Sequence, residues 1–171
     1  MSASTSPKLA MRPYLPADAP VLVEIFRLSI EELTGEDYNE DQQRAWASIA
    51  EDEEEFAAKL SKQLVLVATL GGEPVGFASL EGADHIDLLY VHPAIAGHGA
   101  GSMLCDALEK LAAARGAKKL VVDASDNAQD FFRRRGYEAQ QRNTLERDGE
   151  WLANTTMQKM LPSSVHSTRP S

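Results

Sequence analysis

The chain has 171 residues, 17 basic against 26 acidic side chains, a net charge of −9 and one cysteine, Cys105. That balance excludes the basic footprint of a nucleic-acid binder, and a lone cysteine excludes an internal disulfide. No apolar run approaches the length of a membrane span and no signal-peptide pattern opens the chain, so one cytoplasmic domain with its own core is expected.

Met1–Pro7 is rich in Ser, Thr and Ala and is expected to be disordered, ahead of a single domain over residues 8–161 and a flexible tail over 162–171. Lys8–Pro13 reads as an edge strand, where proline is tolerated. Asp18 is placed to cap a helix starting near Ala19-Pro20, whose stripe of Val21, Leu22, Ile25, Phe26, Ile30 and Leu33 ends at Gly35. Tyr38–Ala50 predicts a second short helix anchored by Trp46. The acidic run Glu51–Glu55 opens a third, with Phe56 and Leu60 on its buried side.

Three strands follow as a meander: Leu64–Leu70, Pro74–Leu80 after the Gly71-Gly72 turn, and Ile86–Val91. The last runs through Val91-His92-Pro93 into Gly97-His98-Gly99-Ala100-Gly101, and Met103, Leu104, Ala107, Leu108 and Leu111 then recur at helical spacing. A strand feeding a glycine turn and a helix makes an anion cradle: glycine permits positive φ and close approach, and first-turn N–H groups face the ligand. No Lys-Ser/Thr pair follows the glycines, which excludes a nucleoside-triphosphate loop. Asp123 stands near the spacing of a dinucleotide fingerprint, leaving that alternative open. Gly116 closes the helix, Leu120-Val121-Val122 starts another strand, Ala128–Arg135 a short helix ended by Gly136, and Glu138–Arg147 and Glu150–Met160 a hairpin turning on Asp148-Gly149. Cys105 falls on the apolar side of its helix, as a core thiol.

Val91-His92-Pro93 with Gly97, Gly99 and Gly101 resembles the acetyl-CoA motif of the GNAT superfamily of N-acetyltransferases, although Ala96 stands where that family usually has Arg or Gln. Ala128-x-x-Phe131-Phe132-x-x-x-Gly136-Tyr137 resembles a second family segment. Asn154-x-x-Met157-x-Lys159 with Gly149-Glu150-Trp151 is similar to a bacterial subgroup carrying a Gly-x-Trp hairpin. The resemblance implies an α/β fold with a mixed, mostly antiparallel sheet and helices on both faces. It implies acetyl-CoA as co-substrate, no metal, and direct acetyl transfer to a small-molecule or peptide amine by a monomer or homodimer.

It also implies cofactor contacts at Leu89, Tyr90, Val91, Ala96, Gly97, His98, Gly99, Ala100, Gly101, Ser102, Ser125, Ala128, Phe131 and Phe132. Arg134 or Arg135 is then expected near the 3′-phosphate. Amine acetylation needs a proton acceptor. His85 and Asp87 supply two titratable groups on the strand before the glycine turn, and a period of two puts them on one face with Leu89 and Val91. His85 is the expected base and Asp87 its orienting partner or relay. Phe132 excludes the family's usual tyrosine acid and leaves Tyr38, Tyr137 or water. His92 and His98 flank the turn without acids or cysteines at a metal-ligand spacing. The losses at Ala96 and Phe132 motivate the alternative of a non-catalytic acyl-CoA-binding module.

Overall fold

The computed structural model describes residues 8–162; the expectations for Met1–Pro7 and for the tail beyond Pro162 lie outside the described residues. Strand β1 (Leu9–Pro13) is followed by helices α1 (Ala19–Leu33), α2 (Glu40–Ala47) and α3 (Glu53–Ser61). Strands β2 (Leu64–Leu70), β3 (Glu73–Glu81) and β4 (His85–Val91) form the meander. Then come α4 (Ala100–Ala114), β5 (Lys119–Ser125), α5 (Gln129–Arg134), β6 (Glu138–Arg147) and β7 (Glu150–Met160). They build one seven-stranded sheet in the order β1-β2-β3-β4-β5-β7-β6. Only the β4–β5 pair is parallel, so the sheet is mixed and mostly antiparallel. The dinucleotide alternative fails here, because that fold needs a parallel sheet.

Alternate residues of the central strands feed two cores, one on each face of the sheet. Ala78, Leu80, Ile86, Val122 and Ala124 pack with Leu104, Cys105, Leu108 and Phe132 from α4 and α5. Val65, Val67, Phe77 and Leu88 pack with Leu22, Ile25, Phe26, Ile30, Phe56 and Leu60 from α1 and α3. Each fully buried Leu, Ile or Phe here is worth about 1.5–3 kcal/mol of apolar burial. The second core is aromatic. The Phe26 ring sits 4.7 Å from Tyr90 and 5.4 Å from Phe56, while Phe77 sits 5.9 Å from Tyr90.

Local signals held at the turns. Asp148 and Gly149 both take positive φ (49° and 81°), the conformation a two-residue hairpin of this type requires. Two helix starts differ from expectation. Asp18 makes no side-chain cap to α1, because its carboxylate accepts both Arg12 nitrogens at 2.8 Å and the Leu15 N–H. The second helix begins only at Glu40, since Asn39 and Gln42 cap it reciprocally.

The expected alternation along β4 is overturned. The β3–β4 register shifts between Ser79 and Leu80, with Ser79 opposite Leu88 and Leu80 opposite Ile86, so Asp87 is the unpaired residue of a β-bulge. The bulge changes the phase of the strand. Ile86, Leu89 and Val91 belong to the α4 side, whereas Leu88 and Tyr90 face α1 and α3. Asp87 therefore does not share a face with Leu89 and Val91; it points toward α3.

Candidate active site

The glycine turn is built as an open cradle. Gly97 and Gly99 have φ of 85° and 94°, and a Cβ added at either would meet nothing within 4 Å. Gly99 caps α4 in the left-handed conformation with no side-chain cap, so the first-turn N–H groups of Ala100, Gly101 and Ser102 lack the usual i−4 partners. They stand at the positive end of the helix dipole. Gly101 serves differently from expectation. It is helical with an ordinary φ, and a Cβ there would meet the Phe131 ring edge at 3.5 Å, an ordinary van der Waals contact. Ala96, His98 and Ser102 are exposed around the turn.

Beside the cradle the sheet opens. Strands β4 and β5 pair only at His85–Val121 and Ile86–Val122. Beyond that they part, and a cleft of about 260 Å³ fills the gap. Asp87, Leu89, Tyr90 and Val91 line its β4 side, Asp123, Ser125, Ala128 and Phe132 the opposite side, and Ile30, Tyr38, Trp46 and Ile49 come from the α1–α2 region.

The two residues chosen as the catalytic pair are separated. His85 does not line the cleft. Its ring lies between Glu81 (Nδ1 to Oε1, 3.3 Å) and Asp123 (Nε2 to Oδ2, 3.6 Å), and Asp87 is not its partner. Asp87 is held by α3 and the residue after its C-terminal turn: Gln63 Nε2 donates to Oδ2 at 2.9 Å and Lys59 Nζ approaches the same oxygen at 3.1 Å. Asp87 Oδ1 has no protein partner among the described residues. The other cleft carboxylate is committed through both oxygens, Asp123 Oδ1 accepting from Thr156 Oγ1 at 2.6 Å and Oδ2 facing His85. Asp123 is thus bonded to the sheet and not poised for a ribose.

The tyrosines sort as clearly. Tyr137 is buried against α4, donating to Glu109 Oε2 at 2.9 Å, and is removed as a candidate acid. Tyr38 lines the cleft, but its proton goes to the Ala153 carbonyl at 2.6 Å. Tyr90 was expected as a cofactor contact, and its place on the face of Asp87 was not foreseen, because the bulge that sets it depends on β3. Its hydroxyl accepts from Trp46 Nε1 at 3.2 Å, and its own proton has no acceptor among the described residues. Burial pushes this phenol well above its ordinary range. Among the described residues no cluster of three His, Cys, Asp or Glu forms a metal site.

Of the arginines, Arg135 is committed inward. It pairs with Asp106, approaches Glu109 Oε2 at 3.5 Å and lies over the Phe131 ring. Arg134 is exposed and unpaired among the described residues. Ser125 lines the cleft and donates to Asn127 Oδ1 at 2.7 Å. Cys105 is fully buried in the α4-side core, away from the cleft, and burial raises its thiol to about 11.

The Acetyltransferase (GNAT) domain family model matches residues 34–161 of this chain. The chain belongs to the GNAT acetyltransferase family. A curated relative, the uncharacterized N-acetyltransferase YafP of Escherichia coli K12, is 35% identical over 150 residues, covering 87% of this chain and 94% of YafP. The crystal structure of a GCN5-related N-acetyltransferase from Rhodopseudomonas palustris superposes with a TM-score of 0.89 at 62% identity, over 94% of this chain and all of that one. YncA of Salmonella typhimurium, solved with acetyl-CoA, shares the fold at a TM-score of 0.61 and 23% identity, over 95% and 98% of the two chains. The expected fold is therefore the GNAT fold, and no described helix is long and apolar enough to cross a membrane.

Proposed function

We propose that the protein transfers the acetyl group of acetyl-CoA directly to a primary amine, both reactants meeting in the cleft between β4 and β5. The observation that carries this reading is the parting of those strands beside a helix that begins on Gly99. Pyrophosphate would lie on the first-turn N–H groups of α4, where backbone donors and the helix dipole both favour an anion. Leu89, Val91, Ser125, Ala128 and Phe132 would flank the pantetheine arm, and Arg134 is the cation left for the 3′-phosphate. The acetyl-CoA held by YncA, a protein of the same fold, supports the choice of cofactor.

An attacking amine must be neutral, and at neutral pH an alkylamine is mostly protonated. Asp87 Oδ1 is the free acceptor for that proton, directly or through a water, while Lys59 and Gln63 hold Oδ2 and fix the carboxylate. The amine nitrogen then bonds to the thioester carbon, the carbon–sulfur bond breaks, the thiolate takes up the second proton that nitrogen sheds on becoming an amide, and Asp87 returns the first to solvent. Tyr90 donates a hydrogen bond to the developing charge. With Trp46 Nε1 donating to its oxygen, the Tyr90 hydroxyl keeps its own proton free for that bond. His85 reaches the cleft only through Asp123 and positions that carboxylate.

Direct transfer is favoured over an acyl-enzyme because the one cysteine is buried outside the cleft with a raised pKa. The departures behind the non-catalytic alternative, Ala96 and Phe132, leave Asp87 intact: one lies on an exposed turn and the other is a buried ring. Initial rates of thiol release, with acetyl-CoA and amine both varied, test the reading. Intersecting double-reciprocal lines are expected. Parallel lines, or no thiol release with any primary amine, would overturn it.

A further inference from the structure

The acceptor half of the cleft carries charge of one sign. Asp87 and Asp123 are its charged side chains, and among the described residues no Lys, Arg or His lines it. Lys59 is held on the Oδ2 of Asp87 and His85 faces the Oδ2 of Asp123, and neither lines the cleft. The rest of the wall is uncharged and mostly apolar, with Ile30, Trp46, Ile49 and Leu152 beside the neutral polar groups of Ser29, Thr34 and Asn154. Two leucines from distant parts of the chain meet at the mouth, Leu33 on α1 and Leu145 on β6, 40% and 53% exposed. Exposed leucines converging on one opening from separate elements are surface that a ligand's apolar body would cover.

We propose that the acceptor is a small apolar primary amine bearing no carboxylate or phosphate beside its nitrogen. Its ammonium faces Asp87 and Asp123, and its hydrocarbon or aromatic body lies against Trp46, Ile49 and the leucines at the mouth. This rests on the reading of the protein as an acetyl-CoA-dependent amine acetyltransferase. An α-amino acid is rejected because its carboxylate would enter beside two aspartates with no cation to meet it, and it would lose its water there. A protein lysine is disfavoured because its flanking polar main chain would lie against the exposed Leu33 and Leu145.

Matched pairs differing only in the carboxylate isolate the effect: phenethylamine against phenylalanine, and tryptamine against tryptophan, at saturating acetyl-CoA. The amine of each pair should be turned over with a kcat/KM higher by a factor on the order of 100. Leu145→Arg, an exposed change that brings a cation to the mouth, should narrow that ratio by roughly tenfold and leave acetyl-CoA affinity unchanged. Equal or faster turnover of the amino acids overturns the proposal, as does faster turnover of a lysine-containing peptide. Intact acetyl-CoA binding with no turnover of either pair overturns it too. Failure of acetyl-CoA to bind in calorimetry sinks the underlying acetyltransferase reading instead.

Discussion

The two faces of the sheet solve different problems with different materials. On the α4–α5 face the ligand-facing groups are main-chain N–H donors at a glycine-started helix, and side chains brace them from behind. Glu109 there accepts from Tyr137 at 2.9 Å and Lys159 at 3.0 Å and stands 3.5 Å from Arg135, joining α4 to β7 and to the end of α5. On the α1–α3 face the cleft is made by side chains: Trp46 bonded to Tyr90, Gln63 and Lys59 on Asp87, and Thr156 on Asp123. A backbone cradle tolerates sequence change wherever φ is negative, because any residue but proline supplies an N–H. A side-chain site is specified only by those residues.

The comparison predicts separable failures. The largest is at Asp87. Asp87→Asn should lower kcat/KM by roughly 10²- to 10⁴-fold if the proton is taken there, with unchanged acetyl-CoA affinity; a steady-state assay beside calorimetry checks both. His85→Gln should cost much less, since His85 lies between Glu81 and Asp123 and does not line the cleft. An equal loss in both variants would return the base to His85.

Next in size is Glu109→Leu, which removes the partner of Lys159 and the acceptor of the buried Tyr137 hydroxyl and leaves Arg135 with Asp106 alone, around a side chain now only 14% exposed. A loss of about 2–4 kcal/mol is expected, equivalent to a Tm lower by roughly 5–15 °C for a chain of this length. An unchanged melting curve would show that the α4 brace carries no weight. Trp46→Phe is milder. Losing the N–H to Tyr90 should cost about 1 kcal/mol and raise KM for the amine without changing acetyl-CoA affinity.

The smallest effect is in acid, away from both sites. Arg12 beside Asp18 holds that carboxyl below its ordinary range. The pair's stabilisation is therefore full above the unfolded pKa of about 3.9 and fades as pH falls through the lower folded value. Asp18→Asn should remove part of the acid-side slope of stability between about pH 4 and 2, and an unaltered slope would contradict the pairing.

What was legible in the sequence follows the same division. Gly97, Gly99 and the Asp148-Gly149 turn could be read because positive φ is a local demand that few residues meet. The second strand pair, the α4 stripe and the buried Cys105 followed from periodicity. The bulge at Asp87 did not, because it is a property of the β3–β4 register, and the alternation of His85 to Leu88 gives no local sign of it. That one shift turned Tyr90 toward the acceptor side and parted Asp87 from the face of Leu89 and Val91. It also left Asp87 to partners, Lys59 and Gln63, more than twenty positions away in the chain. Arg135 misled for a related reason: its fate was set by Asp106 and Glu109 on another helix.

The division of labour itself is tested by titrating acetyl-CoA calorimetrically into Gly99→Val and Asp87→Asn side by side, with circular dichroism to confirm that both are folded. Gly99 holds a φ of 94° in open space. A β-branched residue there is strained by about 1–3 kcal/mol and puts methyl groups where the phosphates belong. Gly99→Val should show no measurable binding, and Asp87→Asn should bind as tightly as the wild type. Normal binding by folded Gly99→Val, or lost binding in Asp87→Asn, would contradict a backbone cradle on one face serving a side-chain site on the other.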